Sequence, residues 1–266
     1  MLDGIVSGSV AALAGGPPDL AFRIGLAMTL LQLGIGTAND LVDAPRDAGR
    51  KAGKPIPAGL VSPSGAVILA AACLGAGVAI AAGVSLTTAI LAVVVMAIGL
   101  AYDLRLKGTA WSWLPFAVGI PILPVFGWVG ATGTLDPVFV ILVPTAVIAG
   151  AALAIGNALV DLERDRAAGV SSIAVALGLR NASGVAVALF GTVWSLAWSS
   201  ALLAGAGWVL VGLIAIVGMI PLVAAAWAGT ATSARRERLW QVEAIGIALL
   251  AGLWLAVTLV AGRPVS

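Results

Sequence analysis

Residues 137–161 read PVFVILVPTAVIAGAALAIGNALVD, an apolar run with no charged residue before the last one, Asp161. About 20 apolar residues in a helix are enough to cross the roughly 30 Å of bilayer hydrocarbon. A run of this length and composition predicts a transmembrane helix that carries an acidic group at one end.

The rest of the chain has the same character. Of its 266 residues, 61% are hydrophobic and 10% are charged, and the mean hydropathy is +1.12. Soluble domains carry about 25% charged residues, so this composition excludes a soluble globular protein. The 14 Lys and Arg residues nearly balance the 12 acids, and no nucleic-acid partner is expected. The chain has no histidine, which excludes His-ligated haem, His metal sites and His general bases.

Nine apolar runs predict an all-α polytopic membrane bundle within a single domain, residues 1–266. They lie at about residues 1–16, 20–42, 62–82, 85–103, 112–131, 137–161, 182–205, 207–229 and 239–261. Short uncharged linkers containing Gly and Pro alternate with long charged linkers, as expected of a chain that weaves through a bilayer. The first run is short and lacks the basic start of a signal peptide. We therefore expect an abbreviated helix or an incomplete native N-terminus.

The charged linkers predict the orientation in the membrane, because Lys and Arg collect in cytoplasmic loops. Placing these linkers inside puts the N-terminus in the cytoplasm and the C-terminus outside. Twelve of the 14 basic residues are then cytoplasmic: Arg46, Arg50, Lys51, Lys54, Arg105, Lys107, Arg164, Arg166, Arg180, Arg235, Arg236 and Arg238.

Two charged linkers contain the same pattern, Asn-x-x-x-Asp-x-x-x-Asp. The first copy is Asn39, Asp43 and Asp47, with Asp40 directly after Asn39, and the second copy is Asn157, Asp161 and Asp165. The copies lie 118 residues apart, and each ends an even-numbered helix on the same predicted side. This internal repeat predicts two related four-helix halves plus one further helix.

The spacing within each copy predicts a ladder of oxygen atoms. Residues four apart on a helix lie within about 40° on one face and about 6 Å from each other. Carboxylate and amide oxygens suit Mg²⁺, which keeps much of its water and bridges to substrate phosphates. Pro45 is expected to end the regular helix near Ala44, before Asp47. Small residues precede the two copies: Gly34, Gly36 and Gly156. The alternative interpretation is that these acids are ordinary solvated loop charges.

Cations lie on the same predicted side of the membrane. Lys54 precedes the segment Pro55–Gly59, and Arg105 and Lys107 follow Tyr102. A pyrophosphate leaving group needs positive charge where its negative charge develops, and preorganised charge is most effective in a dry site. The alternative for each cation is a role in membrane orientation alone. That role is assigned to three others: Arg235, Arg236 and Arg238.

Taken together, these motifs resemble the UbiA superfamily of intramembrane prenyltransferases over most of the chain. The matching segments are Asn39-Asp40-x-x-Asp43-x-x-x-Asp47, Pro55-x-Pro57-x-Gly59, Tyr102-x-x-x-x-Lys107 and DLERDRAAG at 161–169. The resemblance implies a nine-helix bundle with a cavity open toward lipid. It also implies that the Asp-rich motifs hold Mg²⁺ and diphosphate while an isoprenyl cation passes to an acceptor. Lys54 stands where the family commonly has Arg, which keeps the charge without the bidentate geometry.

The residues and the resemblance together predict three groups of site residues. The predicted Mg²⁺ ligands are Asp40, Asp43, Asp47, Asp161 and Asp165. The predicted substrate-binding residues are Asn39, Asn157, Arg105, Arg46 and Arg166. The predicted catalytic residues are Lys107, Tyr102 and Lys54. Aromatic candidates for stabilising the allylic cation are Tyr102, Trp111, Trp113 and Phe116, although anchoring at the membrane interface is the alternative for the two Trp residues.

The leading interpretation is a Mg²⁺-dependent transferase that acts on a prenyl diphosphate and a hydrophobic acceptor, aromatic or lipid-like. The runner-up is a terpene cyclase of the same superfamily, which acts on the prenyl diphosphate alone. A transporter is the third interpretation, because internal repeats also occur there. The acids at helix ends, rather than near the middle of the membrane, disfavour a transporter.

Overall fold

The structure is a computed structural model that describes residues 2–47 and 53–261, with the side chains of Arg46 and Asp47 outside the described part. These ranges form eleven α-helices and one π-helical turn, Tyr102–Leu106, which directly continues the fourth helix. The α-helices are α1 (Leu2–Leu13), α2 (Pro18–Asp47), α3 (Pro63–Ala82), α4 (Leu86–Ala101), α5 (Leu114–Thr132), α6 (Phe139–Val160), α7 (Leu162–Ala167), α8 (Ile173–Leu177), α9 (Leu179–Leu203), α10 (Trp208–Ala228) and α11 (Ser233–Ala261).

Within the described ranges, eight helices are long and apolar enough to cross a membrane: α2, α3, α4 with the π-helical turn, α5, α6, α9, α10 and α11. The predicted all-α membrane fold is therefore confirmed, with eight of the nine predicted spans. The first run forms α1, which has 12 residues and rises only about 18 Å, less than the thickness of the hydrocarbon. It ends early because Gly15 adopts a positive φ of 88°, which favours glycine.

Two predicted helix boundaries are wrong. Helix α2 continues through Pro45 to Asp47 rather than ending near Ala44. The fixed φ of proline is compatible with a helix, and what Pro45 removes is the hydrogen bond to the carbonyl of Leu41. Helix α11 begins at Ser233 rather than at 239, so a charged turn precedes its apolar part.

The chain divides into two compact units. Unit 1 contains Met1–Arg105 and Ile122–Leu135, and unit 2 contains Leu106–Pro121 and Asp136–Ser266. The first Asp motif therefore belongs to unit 1 and the second to unit 2.

In unit 1, small residues allow close helix packing. A Cβ atom added to Gly8 of α1 would lie 3.4 Å from the Cα atom of Gly25 in α2. Ser7 donates a hydrogen bond of 3.1 Å to the carbonyl of Leu123 in α5. Close approach through small residues is the usual way in which transmembrane helices associate.

In unit 2, indole N–H groups connect neighbouring helices. Trp240 of α11 donates to the carbonyl of Leu153 in α6 at 3.0 Å. Trp194 of α9 donates to the carbonyl of Ala215 in α10 at 2.9 Å. The first of these bonds holds α11 beside the last two turns of α6, where the second Asp motif begins.

Candidate active site

The first Asp motif occupies the last turns of α2. Asn39, Asp40 and Asp43 lie in regular helix, so Asn39 and Asp43 are one turn apart on one face. Asp43 is buried, with 7% of its surface exposed. Two of the residues predicted at this motif, Arg46 and Asp47, have side chains outside the described part.

Lys54 forms an ion pair with Asp40 of the first motif, and each side chain is 30% exposed. Two turns fix the backbone after Lys54: Ala58 N–H donates to the Lys54 carbonyl at 3.1 Å, and Leu60 N–H donates to the Pro55 carbonyl at 2.9 Å. Gly59 ends this segment with a φ of 72°. The structure therefore brings together the cation and the carboxylate that the sequence placed at one site.

The π-helical turn after α4 contributes a residue that the sequence analysis did not identify. Asp103 is 6% exposed, and its Oδ1 atom accepts a hydrogen bond of 2.6 Å from Nδ2 of Asn39. Tyr102, half-buried, and Arg105, exposed, belong to the same turn. Wider π-helical turns occur frequently at functional sites.

The second Asp motif lies at a break between α6 and α7. Asp161 has φ −97° and ψ 4°, outside regular helical geometry, and this conformation is common among active-site residues. The apolar run predicted a helix end at this position, and the non-helical dihedral angles of Asp161 interrupt the regular helix within the second motif. Asp165 N–H still donates to the carbonyl of Asp161 at 2.8 Å, which keeps the two residues one turn apart. The side chain of Arg164 forms an ion pair with Asp161.

The loop that carries Lys107 lies beside the second motif. Gly108 has a φ of 74°, and a Cβ atom added to it would lie 3.0 Å from a methyl group of Val170. Val170 N–H in turn donates to the carbonyl of Asp165 at 2.9 Å. The backbone next to Lys107 therefore contacts the segment that the second motif anchors.

Arg236 holds the break between α6 and α7 from the first turn of α11. It is 4% exposed and donates to the Leu159 carbonyl at 2.5 Å and to the Ala231 carbonyl at 3.0 Å. Its two terminal nitrogens also bind both carboxylate oxygens of Glu163, at 2.5 and 3.1 Å. From the sequence, Arg236 was expected to serve only membrane orientation. Its contacts show that it also binds residues on both sides of Asp161, the backbone of Leu159 and the side chain of Glu163.

Replacing Glu163 with Gln is expected to lower stability by about 1–2 kcal/mol, because buried Arg236 loses its charged partner. The loss is modest because the Glu163 side chain is 55% exposed, and solvent screens such a pair. The hydrogen bond from Arg236 is the main cause that lowers the pKa of Glu163 below its ordinary value of 4.5. The stabilisation is therefore complete above pH 4.5 and is lost as the pH falls through the lower folded-state pKa.

Thermal unfolding in detergent, from about pH 7 to about pH 3, measures this contribution. The difference in Tm between the wild type and Glu163→Gln is expected to close below pH 4.5. Glu237→Gln, an exposed acid on α11, is the matched control and is expected to leave Tm unchanged. A Tm difference that does not change with pH would contradict the assignment.

Two of the three glycines before the motifs have a packing role. A Cβ atom added to Gly34 would lie 2.6 Å from the side chain of Leu74 in α3, and one added to Gly156 would meet the carboxyl group of Glu243 in α11. Among the described residues, Gly36 has no such neighbour within 4 Å. Glu243 is only 1% exposed and lies near the second motif. Like Asp103, it is an acid that was not identified from the sequence.

The remaining predicted site residues in unit 2 differ in their exposure. Asn157 is half-buried at the end of α6, whereas Arg166 is exposed on α7. Trp111 is 61% exposed, which fits a side chain that anchors at the membrane interface. The backbone of Phe116 lies directly against Gly150 of α6.

The donor atoms present at each motif fit Mg²⁺. Carboxylate and amide oxygens, with water, are the ligands this ion prefers, and Asp40, Asp43, Asp161 and Asp165 supply them. Among the residues that the structure describes, no group of three His, Cys, Asp or Glu side chains is close enough to hold a metal ion. The assignment of Mg²⁺ ligands therefore stays a prediction.

In the part of the chain that the structure describes, eight apolar spans, acid-rich helix ends and cations beside them fit a polytopic membrane enzyme. The sequence profile of the UbiA prenyltransferase family matches residues 4–250, so the chain belongs to this family. The resemblance predicted from the motifs is confirmed. None of the curated proteins matches the sequence.

Several solved structures share the fold. The apo structure of a UbiA homolog from Aeropyrum pernix K1 has a TM-score of 0.75 at 22% identity, covering 94% of this chain and 95% of that one. A structure of digeranylgeranylglyceryl phosphate synthase has a TM-score of 0.70 at 17% identity, with coverages of 98% and 92%. A UbiA homolog from Archaeoglobus fulgidus bound to GPP and Mg²⁺ has a TM-score of 0.67 at 16% identity, with coverages of 98% and 95%.

Proposed function

We propose that this UbiA-family enzyme uses Mg²⁺ to ionise a prenyl diphosphate and transfers the prenyl group to an aromatic or lipid-like acceptor. The observation that carries the proposal is the first motif, where buried Asp43 lies one turn from Asn39 and Lys54 is paired with Asp40. The repeat of this motif at Asp161 supports a second set of oxygen ligands for the same diphosphate. A structural relative bound to GPP and Mg²⁺ supports the substrate class.

The predicted catalytic residues have different roles in the ionisation step. The bond between the prenyl carbon and the diphosphate oxygen breaks, and the pyrophosphate keeps the electron pair. Lys107 and Lys54 stabilise the negative charge that develops on this leaving group. Bound Mg²⁺ supplies further positive charge to the pyrophosphate oxygens. The ring of Tyr102 faces the allylic cation, which then forms a bond to the acceptor as the acceptor loses a proton.

We place the site at the cytoplasmic side of the membrane, with the N-terminus inside and the C-terminus outside. The support is the distribution of Lys and Arg. A ninth span, formed by α1 together with neighbouring residues, belongs to the same proposal. The prenyl tail then lies in the apolar part of the bilayer, between helices.

One assay separates the three functions that the sequence left open. Purified protein with Mg²⁺ is given a panel of prenyl diphosphates, with and without aromatic and lipid-like acceptors, and pyrophosphate and organic products are measured. The relative named digeranylgeranylglyceryl phosphate synthase supports including lipid-like acceptors.

Adducts that form only with an acceptor are the expected result. A hydrocarbon formed without any acceptor would replace the transferase by the terpene cyclase. The absence of turnover with every substrate pair would contradict both enzymatic proposals and leave the transporter.

A further inference from the structure

The contact between Asn39 and Asp103 joins the first motif to the π-helical turn. Nδ2 of Asn39 lies 2.6 Å from Oδ1 of Asp103. Asp103 is 6% exposed, so the bond is shielded from water on the carboxylate side. Both residues belong to unit 1, and the bond links positions 64 residues apart in the chain.

The chemistry of the two groups fixes the direction of this bond. A carboxylate only accepts hydrogen bonds, whereas an amide has one end that donates and one that accepts. The amino end of the Asn39 amide must therefore face Asp103. Because the oxygen is on the other side of the planar amide, it is turned away from Asp103.

This direction matters because only the amide oxygen binds a hard cation such as Mg²⁺. Without a fixed partner, the amide of Asn39 would rotate and present its amino group as often as its oxygen. Hydrogen-bond partners behind a ligand typically change metal affinity or activity by about 10- to 100-fold when removed.

We propose that Asp103 is a positioning residue that orients Asn39, so that the amide oxygen faces the predicted Mg²⁺ site. The inference rests on the proposed function, because it assigns the orientation of one of that site's own ligands. It adds a residue next to Tyr102 to the set that determines activity, and the proposed role of Asp103 is exerted through Asn39.

Exchanging the Asn and Asp side chains between positions 39 and 103 tests the proposal. The four proteins are the wild type, Asn39→Asp, Asp103→Asn and the double variant Asn39→Asp/Asp103→Asn. Pyrophosphate release is measured as a function of Mg²⁺ concentration, and thermal unfolding is measured in parallel. Asp19→Asn, an exposed acid at the other end of α2, is the matched control.

Asn39→Asp is expected to lose at least about tenfold in kcat/KM, because two carboxylates then face each other. Asp103→Asn is expected to raise the Mg²⁺ concentration for half-maximal activity, since an amide partner no longer fixes one orientation. The double variant restores a donor and an acceptor in reversed order and again turns an oxygen toward the metal. Its activity is expected to recover to within about threefold of the wild type.

The proposal is overturned if the double variant loses the product of the two single losses. It is also overturned if Asp103→Asn changes Tm but not the Mg²⁺ dependence, since that result describes a structural contact only. Failure of the proposed Mg²⁺-dependent ionisation would be distinct, because the wild type itself would then release no pyrophosphate, and failure of the transfer step alone would show as products formed without an acceptor.

Discussion

Replacing Asp43 or Asp161 with Asn is expected to lower turnover by about 10²- to 10³-fold while expression and folding are preserved. Each substitution keeps the shape of the side chain and removes its charge. An amide oxygen is a weaker ligand for Mg²⁺ than a carboxylate, and it neutralises none of the metal's charge. Pyrophosphate release with Mg²⁺ and a prenyl diphosphate measures the loss, and thermal unfolding in detergent measures the fold.

Two matched controls separate a loss of the site from a general effect of removing an acid. Asp19→Asn lies on the same helix as Asp43, with its side chain 79% exposed. Glu237→Gln removes an exposed acid from the unit that contains Asp161. Both controls are expected to keep wild-type rates. Wild-type rates in Asp43→Asn and Asp161→Asn as well would refute the assignment of the two motifs.

The second large effect is expected for Lys107→Met, with kcat lowered by about 10²-fold and KM changed little. The negative charge on the pyrophosphate is greatest when the bond to carbon is breaking. A cation that meets this charge therefore stabilises the transition state more than the bound substrate. Steady-state kinetics with a saturating acceptor separates the two parameters.

Two further variants test whether the effect depends on the positive charge at position 107. Lys107→Arg keeps the charge and is expected to retain most of the activity. Arg235→Met removes an exposed cation that lies 6.0 Å from the ring of Trp227, and we expect no change in kcat. If Lys107→Met raised KM and left kcat unaltered, Lys107 would contribute to ground-state binding alone.

The lengths of the apolar runs predicted the membrane-spanning helices well. They did not predict the ends of helices that begin or end with polar residues. Residues 139–160 form α6 because the run has no charged residue before Asp161, and the helix accommodates Pro144 in its interior. The charged first turn of α11 has no apolar signature, yet it is helical. This charged turn is part of the folded protein because the guanidinium of Arg236 is buried against the Leu159 carbonyl and Glu163 rather than solvated.

The repeated motifs were visible in the sequence because their spacing is local. The contacts that orient them were not, since they join residues far apart in the chain: 64 positions for Asn39 and Asp103, and 77 for Leu159 and Arg236. The apolar run 137–161 did predict a helix end at Asp161, and α6 ends at Val160. The contacts of Arg236 with residues on both sides of Asp161 were not visible in the sequence.

The central claim is that oxygen ligands from both motifs bind one metal–diphosphate group. A crystal structure of the full chain with Mg²⁺ and a prenyl thiodiphosphate that resists ionisation tests it most directly. We predict metal ions on a single pyrophosphate, with Asp43 bound on one side of it and Asp161 on the other. A pyrophosphate held by one motif alone, with the other motif remote from it, would contradict the account.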